Sequence, residues 1–579
     1  MISQAVFSVP HEKGAESQGF FRGRGANRSR RARFQIILET AVSRMMEPAA
    51  TLLFERVSGL CVRFVRAAAA LGFFFLSAAY GESWTTATLS ASGSDATLPV
   101  VSLNDSSKAA AVWVQSGTVQ ASTASFSGSW STASSLQSAN GETPLNTWVC
   151  INNDSHIVAL WGGDFAASPF GGVFTCSAAF GESWSIVLDL YLAQYNTLAH
   201  LDMKDSHLMA VIENQNSADE IKAAHAHFGI RWNSAVTLSA QASGANHASL
   251  AVSASQYTLA AWEEGSPERK IMAGITFFAD GWGLFCPQYG RRLSEEGQNA
   301  ESPHAAIDNS HFGVVVWKRF DGTNWIIQAS SFCVGSEWSV PSSLSSAGGN
   351  ASEPFVASNA SGQFAAVWKR SNGSNDIIQA STMTEGAGWS TPVNLSAAGQ
   401  NAALPELAIN DSGQAAAIWK RSDGTNTVIQ AATLRFGQSW SAAADLSQSG
   451  QNADKPHIAL NAKGEALAIW QRSDGANIRV QYATTQVAPA APSGIGGEQM
   501  GLRAGSQTSF FNHIFWAASP TANVSSYKVY RNGVWVGTLA SEFLLYDDWN
   551  QEEGVSVTYE VSAVSSGGGE SAKASVTVP

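Results

Sequence analysis

The sequence of 579 residues is poor in charged residues and in strong helix formers. Charged residues make up 14% of the chain, and Lys, Glu and Arg are sparse beside Ser, Thr, Asn and Gly. Long helices and coiled coils are rich in the missing residues, so both architectures are disfavoured. The chain is 45% apolar with 20 Trp and only 17 Pro, which argues against disorder and against a linker protein.

Several functional signatures are also missing. The net charge of −12 argues against a nucleic-acid partner. The sequence contains no phosphate-binding loop, no Ser/His/Asp order, no Cys-x-x-Cys and no dinucleotide fingerprint. We therefore expect no cofactor and no nucleic-acid ligand.

Cysteine is scarce, with five in the whole chain. Cys61 lies in the N-terminal segment, which leaves Cys150, Cys176, Cys286 and Cys333. Four cysteines allow three pairings, and the sequence selects none of them.

The N-terminal segment differs from the rest in charge. Residues 1–80 carry 11 Lys and Arg against 5 Asp and Glu, which leaves 23 against 41 for residues 81–579. Arg63 and Arg66 precede an apolar run that ends in small residues near Ala79. The run is too short to span a bilayer, so we predict a signal peptide over 45–79, preceded by a disordered leader or a misplaced start over 1–44. The mature chain is then exported, with no transmembrane span.

Fifteen of the 20 Trp residues fall into two interleaved series. In one series each Trp closely follows a glycine. In the other each Trp ends an Ala/Val-rich run, and Glu213 is taken to fill one position of this second series. Successive members are 46–56 residues apart, and the last four of each series are about 51 apart. A period of roughly 40–50 residues with several short strands is typical of β-propeller blades.

One unit shows how a blade is built. Residues 404–410, 414–420 and 427–433 read as three short strands, separated by Asp411-Ser412-Gly413 and by a turn at Asp423-Gly424. A fourth strand is expected from about Trp440 to Leu446. Parallel α/β folds need crossover helices, so the body is predicted to be all-β.

Counting these strands predicts an eight-bladed propeller over 80–486. The last unit lacks a fourth strand, and the segment Trp84–Leu89 precedes any complete blade. Pairing that segment with the last unit closes the ring and removes its exposed edges. Seven blades remain an alternative if one degenerate unit has been lost.

After a short linker at 487–494, the chain resembles a fibronectin type III domain over 495–579. The resemblance rests on His513-Ile514-Phe515-Trp516, Tyr527-Lys528-Val529-Tyr530 and Tyr559-Glu560-Val561. It implies a C-terminal β-sandwich with Trp516 in the core and Tyr559 in the strand of the tyrosine corner. No Arg-Gly-Asp is present, so integrin binding does not carry over.

The hairpins before the glycine-linked Trp residues resemble the Asp-box turn of sialidase-type propellers. In Ser381–Trp389 the aspartate of that box is absent, and Ser381 is its polar remnant. No Arg-Ile-Pro and no arginine triad is found. The resemblance therefore concerns blade geometry and not hydrolysis.

Polar residues repeat in two loop sets of the last four units, which open on the same face of a propeller. Together they predict an arc that binds a glycan or a surface protein, because amides, carboxylates and Arg bond sugar hydroxyls. The alternative is that these residues only form turns and pair locally. The arc comprises Arg319, Asp321, Asn324, Arg370, Asn375, Arg421, Asp423, Asn426, Arg472, Asp474, Asn477, Asn299, Asn350, Asn401 and Asn452.

Units two to four depart from the repeat. Glu213 and Glu263 fall at one strand position in adjacent units and are candidates for an acid/base pair in glycoside hydrolysis. His225 and His227 lie on one strand face and are candidate metal ligands, although no further ligand can be named. Drift in a tolerant repeat is the alternative explanation for all four.

The sequence thus predicts an exported, monomeric, non-catalytic adhesion protein that recognises a glycan or a protein. A carbohydrate-active enzyme and a structural envelope protein are the alternatives.

Overall fold

The computed structural model describes residues 84–579, except 127, 137–141, 166–169, 195–196, 215–218, 241–242, 278–289, 486–488, 522–523 and 566–568. The predicted leader and signal peptide lie outside these residues. All regular structure described is β-strand, which confirms the all-β prediction.

Between Trp84 and Thr485 the described residues form eight four-stranded antiparallel sheets. Each sheet contains strands adjacent in the chain, with one exception: β1 (Trp84–Thr88) pairs with the last strand of the eighth sheet, Ile478–Thr485. This is the terminal pairing expected from the strand count.

Sheets 1 to 4 are less regular than the later ones in strand length and spacing. Sheet 1 contains β2 (Ala96–Leu103), β3 (Lys108–Gln115), β4 (Thr118–Ser125) and β5 (Ser134–Leu136). Sheet 2 contains β6 (Glu142–Ile151), β7 (His156–Phe165), β8 (Phe170–Ala179) and β9 (Leu188–Gln194). Sheet 3 contains β10 (Thr197–Lys204), β11 (His207–Asn214), β12 (Glu220–His227) and β13 (Val236–Thr237). Sheet 4 contains β14 (Asn246–Val252), β15 (Tyr257–Glu264), β16 (Lys270–Phe277) and β17 (Arg291–Arg292).

Sheets 5 to 8 have nearly identical strand lengths. Sheet 5 contains β18 (Ala300–Ile307), β19 (Phe312–Phe320), β20 (Trp325–Cys333) and β21 (Ser342–Ser343). Sheet 6 contains β22 (Ala351–Ser358), β23 (Gln363–Ser371), β24 (Asp376–Thr384) and β25 (Val393–Asn394). Sheet 7 contains β26 (Ala402–Ile409), β27 (Gln414–Ser422), β28 (Thr427–Arg435) and β29 (Ala444–Asp445). Sheet 8 contains β30 (Ala453–Leu460), β31 (Ala466–Ser473), β32 (Ile478–Thr485) and β1.

The sheets pack face to face through their second strands. Seven Trp residues of the Ala/Val-rich runs are at most 1% exposed, and each lies in a cluster shared by two neighbouring sheets. The cluster around Trp113 combines residues of sheet 1 with Leu467, Ile469 and Val480 of sheet 8. Repeated four-stranded sheets packed in this way are the arrangement of a β-propeller.

A β-bulge recurs in the first strand of most sheets. Register shifts lie between Thr97 and Val100 and between Ala403 and Glu406, each next to a proline. Leu98 and Leu404 adopt positive φ angles of 53° and 51° within the bulges. A bulge changes the direction of the side chain that follows it. In each affected strand the alternation of side chains between the two faces is therefore interrupted at one residue.

The last part of the chain forms two further sheets. A three-stranded sheet contains β33 (Ser493–Ala504), β34 (Gln507–Ala517) and β37 (Leu545–Gln551). A four-stranded sheet has the order β36 (Val534–Ala540), β35 (Val524–Arg531), β38 (Val557–Ser565) and β39 (Ala574–Val578). One core cluster joins Trp516 of the first sheet to Tyr527 and Tyr559 of the second.

Two sequence-based expectations need correction. In sheet 3 the buried Trp position is filled by Ile212, and Glu213 lies one residue further along. The expected fourth strand from Trp440 to Leu446 is only Ala444–Asp445. Trp440 precedes that strand and packs against the core as a partly buried side chain.

Candidate functional site

The first strands of all eight sheets line one central cavity of about 490 Å³. Its wall comes from the ends of these strands and the turns that follow them, for example Leu103, Ile151 and Ile409. His304 and Phe355, which lie earlier in their strands, also line the cavity. Polar turn residues at the strand ends and a largely aliphatic wall therefore form a funnel at one end of the strands.

A chain of asparagine side chains, here called the amide belt, runs around the funnel mouth. Each member donates from Nδ2 to a backbone carbonyl of the next sheet. The bonds run from Asn359 to Asn410 (3.0 Å), from Asn410 to Asn461 (2.7 Å), from Asn461 to Asn104 (3.0 Å), from Asn104 to Asn152 (2.8 Å) and from Asn152 to Asp205. The bond from Asn461 to Asn104 connects sheet 8 to sheet 1.

The rim of the funnel lies one residue beyond the belt. Asp105 and Asp411 each accept a backbone N–H bond of 2.7 Å from the preceding sheet, and these bonds fix their carboxylates. Asn153 donates from Nδ2 to Asp105 at 2.8 Å. Lys204 and Asp205 are exposed beside them in sheet 3. Amides, carboxylates and one ammonium group thus surround the opening.

A layer of side chains crosses the interior at mid-strand and is called the waist. Its members lie four residues before the turn that ends each first strand. Two of them, Trp148 and His457, lie on sheets that are not neighbours, yet their rings are 6.3 Å apart. The waist residues are Val100, Trp148, His200, Ser249, His304, Phe355, Glu406 and His457.

The waist side chains contact one another, and their ionisable groups are only partly buried, with His200 31%, Glu406 28% and His457 21% exposed. The Trp148 and His200 rings are 4.9 Å apart, and His457 Nε2 lies 3.8 Å from Glu406 Oε2. Burial raises the pKa of Glu406 to about 8 and lowers the pKa of His457 to about 4. Burial and the charge of His200 lower the pKa of His304 to about 3. At neutral pH these groups are predominantly uncharged.

The predicted arc lies at the opposite end of the strands from the funnel, because β27 starts at the funnel turn and ends at the Asp423 hairpin. The aspartates of the arc close their own turns. Asp423 Oδ1 accepts from the amides of Thr425 (2.9 Å) and Asn426 (2.7 Å), and these bonds lower its pKa. Asp321 and Asp474 make the corresponding bonds, to Asn324 and Asn477 among others.

Most of the other arc residues are also bonded locally. Asn299, Asn350, Asn401 and Asn452 each accept, through Oδ1, a backbone N–H bond of 2.9 to 3.0 Å from the preceding sheet. Arg370 and Arg472 donate to loop carbonyls, and Arg319 donates to Glu295. Asn375 Nδ2 donates to Asn401 Oδ1 at 3.4 Å, whereas the buried Nε of Arg421 has no hydrogen-bond partner among the described residues. The geometry favours the turn-forming alternative, while binding by the arc stays a prediction.

Glu213 and Glu263 are buried and lie outside the cavity lining. Glu263 Oε1 contacts His247 Nδ1 at 2.7 Å and Arg269 at 2.5 Å, and its Oε2 accepts from the Ser302 amide at 3.0 Å. Burial raises the pKa of Glu263, but these three partners together outweigh it and lower the pKa overall. Glu213 accepts from the Ala248 amide at 2.6 Å.

His225 and His227 share one face of β12, as predicted from their spacing. His227 lies beside His207, with ring centroids 4.8 Å apart. Burial and the charge of His227 lower the pKa of His225. Among the residues the structure describes, no group of three or more His, Cys, Asp or Glu is placed to hold a metal ion.

Sequence reasoning missed the belt and the waist. Both carry signals in the repeat: Asn359, Asn410 and Asn461 recur at intervals of 51, and in the regular units the residue after the first-strand proline is a waist residue. Their significance was hidden because only the packing of the sheets brings these positions together.

The sequence matches none of the known protein-family descriptions and none of the curated proteins. Among solved structures it is similar to polysaccharide lyase Uly1, at 8% identity and TM-score 0.39 over 66% of this chain and 89% of that one. It is also similar to the β-propeller domain of the Trilobed protease from Pyrococcus furiosus, at 7% identity and TM-score 0.36 over 58% of this chain and 95% of that one. A third similar structure is the six-bladed lectin of Aleuria aurantia, which recognises fucose, at 11% identity and TM-score 0.30 over 54% of this chain and 100% of that one. Similarity at this level leaves function open.

None of the described residues belongs to a helix long and apolar enough to cross a membrane.

Proposed function

We propose that this protein is a non-catalytic carbohydrate-binding protein that holds the end of a neutral glycan in the central funnel. The observation that carries the proposal is the cavity of about 490 Å³ with a polar mouth and a largely aliphatic interior to which Phe355 contributes one aromatic ring. Ligand sites in proteins typically occupy roughly 300–1,000 Å³ and combine apolar walls with a few placed polar groups.

The rim chemistry suits sugar hydroxyls. Asn153 and Asp411 present amide and carboxylate oxygens whose positions are held by bonds to neighbouring sheets. Lys204 and Asp205 add an exposed donor and an exposed acceptor. Three rim carboxylates and the net charge of −12 repel anionic polymers, so a neutral glycan is favoured over a sulfated or uronic one.

The contacts of Glu213 and Glu263 support binding over hydrolysis. A glycosidase of the usual type needs two carboxyl groups that flank one substrate bond. Glu263 is instead neutralised by His247 and Arg269, and neither glutamate lines the cavity.

We also propose that the eight sheets are the blades of one closed propeller. The β1–β32 pairing, the cluster shared by sheets 1 and 8 and the Asn461–Asn104 bond support this interpretation.

Residues 495–579 are proposed to be a fibronectin type III domain, supported by the strand order and by the core shared between its two sheets. Export, signal cleavage near Ala79 and the monomeric state rest on the sequence alone and stay predictions.

The test is binding of the purified full chain to a broad array of neutral and acidic glycans. We expect Lys204→Ala combined with Asp205→Asn to abolish binding, because both residues are exposed at the rim. The matched control changes Arg421 and Asp423 to Ala at the other end of the strands and should leave binding intact.

Loss of binding in the control alone would move the site to the predicted arc. Binding restricted to acidic glycans would contradict the neutral-glycan proposal. No binding to any glycan would favour a protein partner or a structural role.

A further inference from the structure

Asp308 occupies the position in sheet 5 that an asparagine of the amide belt occupies in sheets 1, 2, 6, 7 and 8. Its Oδ1 accepts from the Phe312 amide at 2.8 Å. Asn359 Oδ1 in the next sheet accepts from the Gln363 amide at 3.0 Å, four residues on in the same way. The two side chains are therefore anchored alike within their own turns.

The second side-chain atom is where they differ. Asn359 donates from Nδ2 to the Asn410 carbonyl, whereas Asp308 carries an oxygen at that place. Asp308 is 1% exposed, and its buried Oδ2 has no hydrogen-bond partner among the described residues. Because the two side chains are anchored alike, we infer that this oxygen faces the carbonyl of Asn359, as Asn359 Nδ2 faces the carbonyl of Asn410. Two acceptors cannot bond unless one of them carries a proton.

The junction between sheets 5 and 6 departs from the repeat at a second residue. Glu385 takes the place held in sheets 1, 2, 3 and 7 by Phe126, Phe180, Phe228 and Phe436, as its backbone N–H bond to the preceding turn of its own sheet shows. A Cβ built on Gly362 would lie 3.2 Å from Asp308 Oδ2 and 3.1 Å from Glu385 Oε2. Two carboxyl groups therefore face the same small space, which the absent side chain of Gly362 leaves open.

We propose that Asp308 keeps its proton to a higher pH than an ordinary carboxyl group and, while protonated, donates it from Oδ2 to the Asn359 carbonyl. The protonated acid replaces the asparagine amide and makes the junction of sheets 5 and 6 a pH-sensitive clasp at the funnel mouth. Release of this proton to solvent leaves two facing acceptors and a buried negative charge, so the clasp opens as the pH rises.

The surroundings of Asp308 raise its pKa on balance. Burial raises its pKa most, and the charge of Glu385 raises it further. The amides of Phe312 and Ser310 and the charge of His311 act in the opposite direction and do not cancel the rise. Because the folded-state pKa is raised, this stabilisation is complete below the unfolded pKa and is lost as the pH rises through the folded pKa.

The test compares the melting temperature of the full chain with that of Asp308→Asn from about pH 4 to about pH 9. Asparagine donates a hydrogen bond at every pH. The melting temperature of Asp308→Asn minus that of the wild type should therefore increase with pH and then level off. Infrared difference spectra between the two proteins should show a protonated-carboxyl band in the wild type at pH 6.

Two further variants isolate the cause. With Glu385→Gln present in both proteins, the rise in their melting-temperature difference should occur at lower pH, because the neighbouring negative charge is removed. Asn410→Asp creates the same pair of acceptors between sheets 7 and 8 and should be most destabilised at high pH.

A difference between wild type and Asp308→Asn that is equal at every pH, or the absence of the carboxyl band, would overturn the proposal. These measurements use no glycan, so they stand apart from the test of carbohydrate binding.

Discussion

Sheets 5 to 8 and sheets 2 to 4 are built on the same plan but satisfy it differently. In sheets 5 to 8, a buried Trp, a first-strand proline and equal strand lengths recur almost unchanged. In sheet 3, Ile212 replaces the Trp and Lys204 replaces the belt asparagine. In sheet 4, Ser253 replaces the belt asparagine and bonds only within its own turn.

The comparison shows that the continuous amide belt and the departures from it lie in different parts of the molecule, with sheet 5 combining regular strands and an interrupted belt position. The amide belt links sheets 6, 7, 8, 1 and 2 and ends on Asp205 of sheet 3. The belt positions of sheets 3, 4 and 5 are Lys204, Ser253 and Asp308, which have given up the amide donor. The exposed rim charges Lys204 and Asp205 and the buried acid Asp308 are found where the belt is interrupted.

The largest expected effect is in the regular sector. Trp419→Ala removes a fully buried indole between sheets 6 and 7 and should cost about 3–5 kcal/mol of unfolding free energy. The measurement is chemical denaturation of the full chain, followed by tryptophan fluorescence and circular dichroism.

The matched variant, Ile212→Trp, restores the repeat residue in sheet 3. We expect it to destabilise the protein by about 1–3 kcal/mol, because the pocket is already filled by the smaller side chain. A gain in stability would show that sheet 3 has drifted without repacking, and the contrast between the sectors would fail.

The waist should give the protein a stability maximum near neutral pH. The folded-state pKa values of His304 and His457 are lowered, so their stabilisation is present above about pH 6.5 and is lost as the pH falls toward about 4 and below. The pKa of Glu406 is raised, so its stabilisation is lost as the pH rises toward about 8.

Thermal melts across this range test the waist. His304→Gln should flatten the acid side of the profile, and Glu406→Gln should flatten the alkaline side. An acid side that is unchanged in His304→Gln would exclude that histidine as the cause.

Breaking the belt should have an intermediate effect. Asn410→Ala removes the donor to Asn461 and the acceptor of its own turn, and we expect a loss of about 1–3 kcal/mol. Ser253→Ala, at a position without a belt bond, serves as the control and should cost less. Equal losses in denaturant titrations would mean that the belt adds no stability beyond its turns.

The smallest effect is expected at the predicted arc. Arg472 makes only long bonds of 3.3 and 3.4 Å to loop carbonyls, so Arg472→Ala should change stability by about 0.5 kcal/mol or less. Its glycan binding should match that of the wild type on the same array. Selective loss of binding would restore the arc as the recognition surface.

The sequence anticipated the repeat well because its signals are local. Asp-Gly turns, alternating short strands and evenly spaced Trp residues act within one sheet, and β27 and β28 begin at the predicted residues. The predicted fourth strand was longer than the observed one, Ala444–Asp445, because Trp440 packs beside the sheet without joining its hydrogen-bond ladder.

The candidate site was harder to anticipate. The repeated Arg, Asp and Asn residues drew attention through their chemistry, but turns need the same residues, and the structure shows them bonded within turns and loops. Most funnel residues lie in strands and carry no distinctive chemistry. They matter because the first strand of each sheet faces the first strands of the other seven sheets across the cavity.

By itself the sequence determined the all-β class, the repeat length and the strands of each unit, because hydrogen bonding within a hairpin depends on neighbours in the chain. The tertiary structure alone decided which residues meet at the centre. Asn461 and Asn104 are 357 residues apart, and the pairing of β1 with β32 and the packing of the sheets bring them together. Burial in that shared interior, and no property of the residues alone, raises the pKa of Asp308 and of Glu406.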